Sequence, residues 1–412
     1  MEKQLIPQLR FPNFQGKWEK VIISKIANKI TDGTHDTPKP IKEGIPFLTA
    51  IHVKDGKIDF DNCYYLSEEE HNKIYKRCNP EFGDLLMVNI GAGTATSAMV
   101  NVNYEFSLKN VALIKPNKEK IYSSFFAQVQ RRNSDRLRHQ ISSGGAQPFL
   151  SLKAIGKLKL NIPSLPEQQT IAAFLTDVDD KITKLTKKKT LLEQYKKGIM
   201  QKIFHQELRF KDDDGNYYPK WKIKKLGDLG STLNGLTGKT KENFGSGKPY
   251  IQYKQIFDSS KININNCGLV DITIRDKQTK VQYGDVFFTT SSETPNEIGT
   301  ASVLLDNIEE MYLNSFCFGF RVNQLDLYPA FSQFLFRSTN FRKKMIPLAQ
   351  GSTRYNISKS AFVKLKVSLP NVAEQTKIAN FLSELDLKIE ALNNNIENSK
   401  NFKKGLLQKM FV

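Results

Sequence analysis

Glycine, small hydroxyl residues, glutamine and arginine collect in two matching pairs of segments. Gly91-Ala92-Gly93-Thr94-Ala95-Thr96-Ser97 follows an apolar stretch at 84–90, and Ser291-Ser292-Glu293-Thr294 follows a similar stretch later in the chain. Ser142-Ser143-Gly144-Gly145-Ala146-Gln147 matches Ala349-Gln350-Gly351-Ser352-Thr353-Arg354, with Tyr355 next. Upstream of the second pair lie Arg131, Arg132, Arg136 and Arg138 in one case, and Arg337, Arg342, Lys343 and Lys344 in the other. Glycine and the small hydroxyls of Thr94, Thr96, Ser143, Ser292, Thr294, Ser352 and Thr353 allow close backbone approach. Gln147 and Arg354 could make paired hydrogen bonds to adenine and guanine edges. The arginines and lysines suit phosphates, which supply affinity without sequence information. The plainer alternative is a set of ordinary turns beside a solvated helix face.

No catalytic constellation accompanies these segments. A phosphate-binding loop needs GxxxxGK followed by Ser or Thr. The nearest candidate, FGSGKP at 244–249, lacks the first glycine and has Pro249 where the metal-binding hydroxyl belongs. There is no GxGxxG after a strand, and no Asn/Asp-Pro-Pro-aromatic segment of the kind that cradles a flipped base. His35, His52, His71, His139 and His205 lack metal-ligand spacing. Cys63, Cys78, Cys267 and Cys317 are far apart with no CxxC, and read as reduced thiols of a cytoplasmic protein. Asp84 and Asp285, in the paired FGD and YGD segments, read as turn residues at strand starts rather than metal ligands. A basic chain without a visible catalytic set reads as a binder.

The elements that position these segments are repeated. Pro163–Phe204 aligns without a gap on Pro370–Phe411 at an offset of 207, with 17 of 42 positions identical. GGAQPFLSLKAIGKLKLNIP (144–163) matches GSTRYNISKSAFVKLKVSLP (351–370), FGDLLMV (82–88) echoes YGDVFFT (283–289), and Trp18 pairs with Trp221. LRFPNFQGKW (9–18) resembles LRFKDDDGNYYPKW (208–221), so the repeat is cyclic. A pseudo-twofold axis with neighbouring termini is expected. Within this frame the helical blocks are alike, but GGAQPF and GSTRYN differ. Two readers of different targets on one shared frame would have this pattern.

The better-kept blocks predict long helices. Ile171, Leu175, Val178, Ile182, Leu185, Lys189, Leu192, Lys196, Ile199 and Ile203 recur at 3-4 spacing, as do Ile378, Leu382, Leu385, Ile389, Leu392, Ile396, Ser399, Lys403, Leu406 and Met410. Eight of ten are apolar in each set, the seam of a coiled coil. Ser164-x-x-Glu167 and Asn371-x-x-Glu374 predict capping boxes, with each glutamate reaching back to the cap. Gly198 and Gly405 predict a bend or a close crossing. Two rods of roughly 57 Å, at ~1.5 Å per residue, would pack antiparallel.

The larger blocks alternate short strand-like segments, such as IPFLTAIHV (45–53), DLLMVNI (84–90) and NVALIKP (110–116), with one helix each, at 122–141 and 328–346. Residues 1–165 carry 24 basic against 16 acidic residues, and 206–368 carry 23 against 16, so the two blocks are about equally basic and hold most of the net charge of +19. An anionic partner fits that charge. No apolar run reaches the ~18 residues of a membrane span, and the first residues lack a signal-peptide pattern.

The duplicated blocks, the helix starts PSLPEQQTIAAFL and LPNVAEQTKIANFL, the helix ends KKGIMQKIF and KKGLLQKMF, and the LRF…W linkers together resemble the DNA-specificity subunit of type I restriction–modification systems. The resemblance covers essentially the whole chain and departs from strict symmetry at Pro166, whose counterpart is Ala373. It implies an α+β fold: two mixed α/β target-recognition domains joined by two antiparallel coiled-coil helices. The expected boundaries are 1–163 and 221–370 for the domains, 164–205 and 371–412 for the helices, and 206–220 for a linker. Each domain would read half of a bipartite, asymmetric site on double-stranded DNA, and the helices would set the gap. The helices would also dock two methyltransferase subunits, with Ile171, Leu175, Val178, Ile182, Leu185, Ile378, Leu382, Leu385, Ile389 and Leu392 as the partner or helix interface. Two ATP-driven restriction subunits would complete a nuclease. S-adenosylmethionine, ATP and magnesium would serve those partners, and this chain would bind no cofactor or metal and do no chemistry itself. Three alternatives stay open: a stand-alone nuclease or methyltransferase with degenerate motifs, a coiled-coil scaffold without DNA readout, and the specificity subunit of a related modification system outside type I.

Overall fold

The structure, a computed structural model, describes residues 5–91, 93–142 and 148–412. The chain divides into two units: 1–186 with 394–412, and 187–393. Both boundaries fall inside long helices, Leu165–Phe204 and Val372–Met410, so each unit holds part of both.

Among the described residues the first unit holds four sheets, one of them the small pairing of Val53–Lys54 with Lys57–Ile58. Glu19–Ile22 pairs antiparallel with Lys159–Ile162. A four-stranded sheet has the order Ala27–Asp32, Val111–Pro116, Leu85–Val88, Ser97–Met99. A three-stranded sheet has Ile45–Thr49 in the centre, antiparallel to Tyr64–Leu66 and parallel to Ser107–Lys109. Leu85–Val88 is buried along its whole length, because the sheet is covered on both faces. One covering element is the helix Ser123–Ser142. Ile171, Ala172 and Leu175 complete that core with Leu406, Met410 and Phe411, which establishes antiparallel packing of the two helical segments within this unit.

The second unit repeats the plan. Lys222–Lys225 pairs with Lys366–Leu369, and the four-stranded sheet runs Gly230–Asn234, Cys317–Val322, Val286–Thr289, Ala301–Val303. Phe244–Ile251 stands between Gly268–Val270 and Tyr312–Leu313, again with one parallel pairing. Phe288, Phe318 and Phe320 each contact the Phe362 ring, and Phe288 stacks on Phe318, in an aromatic core. Ile378, Leu382 and Leu385 pack there with Ile203, Leu192 and Ile199.

Three local expectations are corrected. The helix predicted at 328–346 is two helices, Pro329–Leu335 and Thr339–Met345. Ser338 starts the second by accepting from Phe341 N–H, and this competes with continuation of the first. No close crossing occurs at Gly198 or Gly405, since a Cβ at either would meet open space. The glutamates of the expected capping boxes do not reach back to their caps. Asn371 does cap, accepting from Glu374 N–H at 2.9 Å, but the Glu374 carboxylate is engaged elsewhere.

Candidate nucleic-acid interface

The helix starts fix where each sheet assembly stands. Glu167 is 1 % exposed and receives a two-point contact from Arg10, Nε at 2.8 Å and Nη2 at 2.7 Å, plus the indole N–H of Trp18 at 3.3 Å. Glu374, 0 % exposed, receives the same set in the second unit: Arg209 Nε and Nη2, both at 2.8 Å, and Trp221 at 3.1 Å. A buried carboxylate is tolerated only when paired and hydrogen-bonded, and the fork of arginine suits it. Hydrogen bonding to these carboxylates holds both guanidinium groups above their ordinary pKa. The next residue is a second anchor. Gln168 accepts from Tyr122 N–H and donates to the Pro163 carbonyl, while Gln375 accepts from Tyr328 N–H and donates to that of Pro370. This accounts for the repeated Glu-Gln pair and for the LRF…W linkers. Phe11 packs edge-on against Phe174, and Phe210 against Phe381.

Charged pairs tie the helix segments together within each unit. Asp179 takes Lys403 at 2.6 Å, and Asp386 takes Lys196. Burial, with Arg131 nearby, lowers the Lys403 pKa. Among the candidate interface residues, Ile171, Leu175, Ile378, Leu382, Leu385 and Leu392 are buried, while Val178, Ile182, Leu185 and Ile389 are partly exposed.

The loops of the second unit converge. Ser291–Ser292 forms a two-residue strand pairing with Tyr355–Asn356. Gln350 and Asn356 exchange backbone hydrogen bonds at 3.0 and 2.8 Å, so Gly351 to Tyr355 form a tight loop between them. Gly351 has φ +129°, and a Cβ there would stand 2.2 Å from the Arg354 carbonyl oxygen, so the turn requires glycine. Ser352, Thr353 and Arg354 are exposed at its tip, and Tyr355 is half-buried. Beside it lies an open cleft of about 320 Å³ walled by Tyr253, Ser291, Ser292, Glu293, Glu297, Phe316 and Arg354. Ser292 Oγ donates to Glu297 at 3.1 Å and accepts from Thr294 N–H. Thr294 itself is exposed.

In the first unit, Ile90 bridges Phe149, and Thr94 Oγ1 donates to the Gly91 carbonyl at 2.6 Å and that of Pro148 at 3.1 Å. Thr94 and Thr96 are therefore buried supports. Arg138 donates to Thr96 Oγ1 at 3.0 Å, and Ser134 to the Ala95 carbonyl, so one helix face braces the loop. Ser143 and Gln147 lie outside the described residues.

Most of the basic residues singled out from sequence are bonded inside the fold. Arg131 pairs with Asp55, and Arg132 donates to the Val412 carbonyl. Arg337 donates to the carbonyls of Ala301, Ile256, Phe257 and Ser259, and burial brings its pKa down to about 10. Arg342 donates to those of Gly299, Asn296 and Ile298, which shapes the loop carrying Glu297. Lys344 reaches the Lys366 carbonyl. Arg136, Lys343, Lys344 and Arg354 are exposed. Sequence reasoning missed Arg10 and Arg209, whose signal was their place in the repeated LRF linker. It also missed Glu293 and Phe316 as cleft walls. Asp84 and Asp285 are turn residues, each accepting a backbone N–H three residues back and pairing with Lys115 or Arg321. Among the described residues no His/Cys/Asp/Glu group could hold a metal, and no helix is long and apolar enough to cross a membrane.

Comparison with known proteins adds a family. A family model described as the type I restriction modification DNA specificity domain matches twice, at residues 15–194 and 218–399. The chain is 24% identical over 407 residues to a Methanocaldococcus jannaschii protein named for the specificity subunit of the type I restriction enzyme MjaX, covering 95% of this chain and 92% of that one. It is 22% identical over 388 residues to the MjaVIII specificity subunit of the same organism, covering 90% and 89%. The fold resembles a crystal structure of a type I restriction–modification S subunit from M. genitalium, with TM-score 0.61, 14% identity and 99% of each chain covered.

Proposed function

The chain belongs to the type I restriction modification DNA specificity family, and from that premise we propose how it reads and spaces its target. It is the specificity subunit of a type I restriction–modification system, the non-catalytic member that supplies DNA recognition. Each unit reads one half of a bipartite, asymmetric site. The observation that carries this is the pairing of an identical frame with unlike loops. The Glu167 and Glu374 clamps are equivalent contact for contact, while the segments each frame carries differ in sequence. Phosphate contacts fall to exposed cations such as Arg136 and Lys343, and base contacts to the loop tips, Arg354 among them.

The long helices set the unread gap between half-sites. Two modification subunits dock on this chain and carry S-adenosylmethionine, and the complex methylates adenine N6. Two ATP- and magnesium-dependent restriction subunits convert it into a nuclease of unmodified DNA. The chain itself holds none of these cofactors and works in the cytoplasm.

The test is a methylation map. The chain is expressed with its neighbouring methyltransferase subunit in a host lacking modification, and the genome is read by single-molecule sequencing for N6-methyladenine. The expected result is a two-part motif with a fixed gap that vanishes when this chain is omitted. A complex that co-purifies but leaves no new motif refutes the reading.

A further inference from the structure

The cleft of the second unit holds two opposite charges that the fold does not use. Glu293 and Arg354 both line it, both are exposed, and among the described residues neither side chain makes a hydrogen bond or ion pair. Neighbouring charges are treated differently. Glu297 accepts from Ser292, Arg342 is bonded to three carbonyls and Arg337 to four. The two unused groups are held in place by the fold. Glu293 follows directly on the Ser291–Ser292 strand, and Arg354 directly precedes its partner strand Tyr355–Asn356. Tyr253 donates to the Ser291 carbonyl at 2.8 Å and stiffens that strand, and the Phe316 ring, 57 % exposed, forms an apolar wall.

An ionised carboxylate only accepts hydrogen bonds and a guanidinium only donates them. In the major groove cytosine offers its N4 amino group as donor, while guanine offers O6 and N7 as adjacent acceptors. A C·G pair therefore satisfies both members of a Glu–Arg pair at once. An A·T pair does not, because its acceptors, adenine N7 and thymine O4, stand on either side of the adenine amino group, and arginine loses its two-point contact. We propose that Glu293 and Arg354 together read one C·G base pair of the second half-site, with Glu293 accepting from cytosine N4 and Arg354 donating to guanine O6 and N7. The carboxylate also discourages approach of a phosphate, so the cleft selects a base edge over the backbone. This inference rests on the specificity-subunit reading and assigns a base pair and a new reading residue within it.

The test uses the assembled complex of this chain with its methyltransferase subunit, selecting bound duplexes from a random library. Wild type, Glu293→Gln, Arg354→Ala and Glu297→Gln are compared. The expected outcome is that Glu293→Gln and Arg354→Ala each lower discrimination at the same C·G position, from roughly tenfold or more toward unity. The first half-site and the gap stay as in wild type, and Glu297→Gln leaves the C·G preference intact. Loss at two different positions, an unchanged preference in Glu293→Gln, a change in the first half-site, or loss of all sequence preference overturns the assignment. Failure of the wild-type complex to select any bipartite sequence refutes the specificity-subunit reading itself, a result separate from failure of the variants.

Discussion

Arg10→Met isolates the energetics of the clamp at the helix start. The substitution keeps much of the apolar stem but removes both charged contacts to Glu167, leaving that carboxylate the Trp18 indole N–H at 3.3 Å. Removing one partner of a buried ion pair costs about 3–5 kcal/mol, because the remaining charge is stranded. Arg10 is itself 14% exposed, so water reaches one edge of the site and the lower end, ~3 kcal/mol, is expected. That is slightly more than two powers of ten in an opening equilibrium. Hydrogen exchange read by mass spectrometry locates the effect. Amides of 5–18 and of the first turns of Leu165–Phe204 should exchange about 100-fold faster, while those of 209–221 and 372–382 stay protected. Adding Glu167→Gln neutralises the stranded charge, so the double variant should regain more than half of the lost protection. Less than a tenfold change in Arg10→Met, or a double variant worse than the single one, would refute the account of Glu167 as a buried charge that depends on its clamp.

Three other expectations can be checked with the same complex. Inserting four residues near Lys187 adds one helical turn, about 6 Å, and should lengthen the unread gap by one or two base pairs in a methylation map; an unchanged gap removes the spacing role from the helices. Arg342→Met leaves the carbonyls of Asn296, Ile298 and Gly299 without their charged donor, so it should cost about 2–4 kcal/mol in thermal unfolding and blur the second half-site while the first stays sharp. Glu310 receives Lys248, Tyr312 and Lys280, which hold its carboxyl at about 2 against an ordinary 4.5. Its stabilisation is therefore complete above pH 4.5 and lost as pH falls toward 2, and Glu310→Gln should flatten that part of the Tm-against-pH curve.

The sequence carried the frame well and the side-chain roles poorly, for physical reasons. Helix periodicity and the 207-residue offset are local or self-referential signals, so the long helices and the repeat could be read directly. The fate of Glu167 could not, because its partner Arg10 lies 157 residues away. The capping-box pattern has the same residue types, and a long-range arginine outcompeted the local N–H for the carboxylate. The break at Ser338 was visible in principle, since Ser-Thr-Asn is a strong start signal, but Phe331, Phe334, Phe341 and Met345 at helical spacing on either side concealed it. Arg337 beside it looked like a solvated cation, and is instead buried against four backbone carbonyls that no sequence pattern reveals.

That outcome separates net charge from binding capacity. Of the nine cations singled out beside the loops, Arg131, Arg132, Arg138, Arg337, Arg342 and Lys344 donate to groups within the fold. Arg136, Lys343 and Arg354 point outward. Each phosphate neutralised contributes about 0.9 to the slope of log affinity against log salt, so counting clusters from sequence would overstate their electrostatic share. The inward cations shape the loops instead, as Arg138 does for Thr96 and Arg342 for the backbone from 296 to 299. Substitution there alters what a loop presents, whereas substitution at Arg136 or Lys343 alters only how strongly the unit is held. Recognition can then diverge at the loop tips while both glutamate clamps and the long helices stay fixed, which is the pattern the two halves of this chain display.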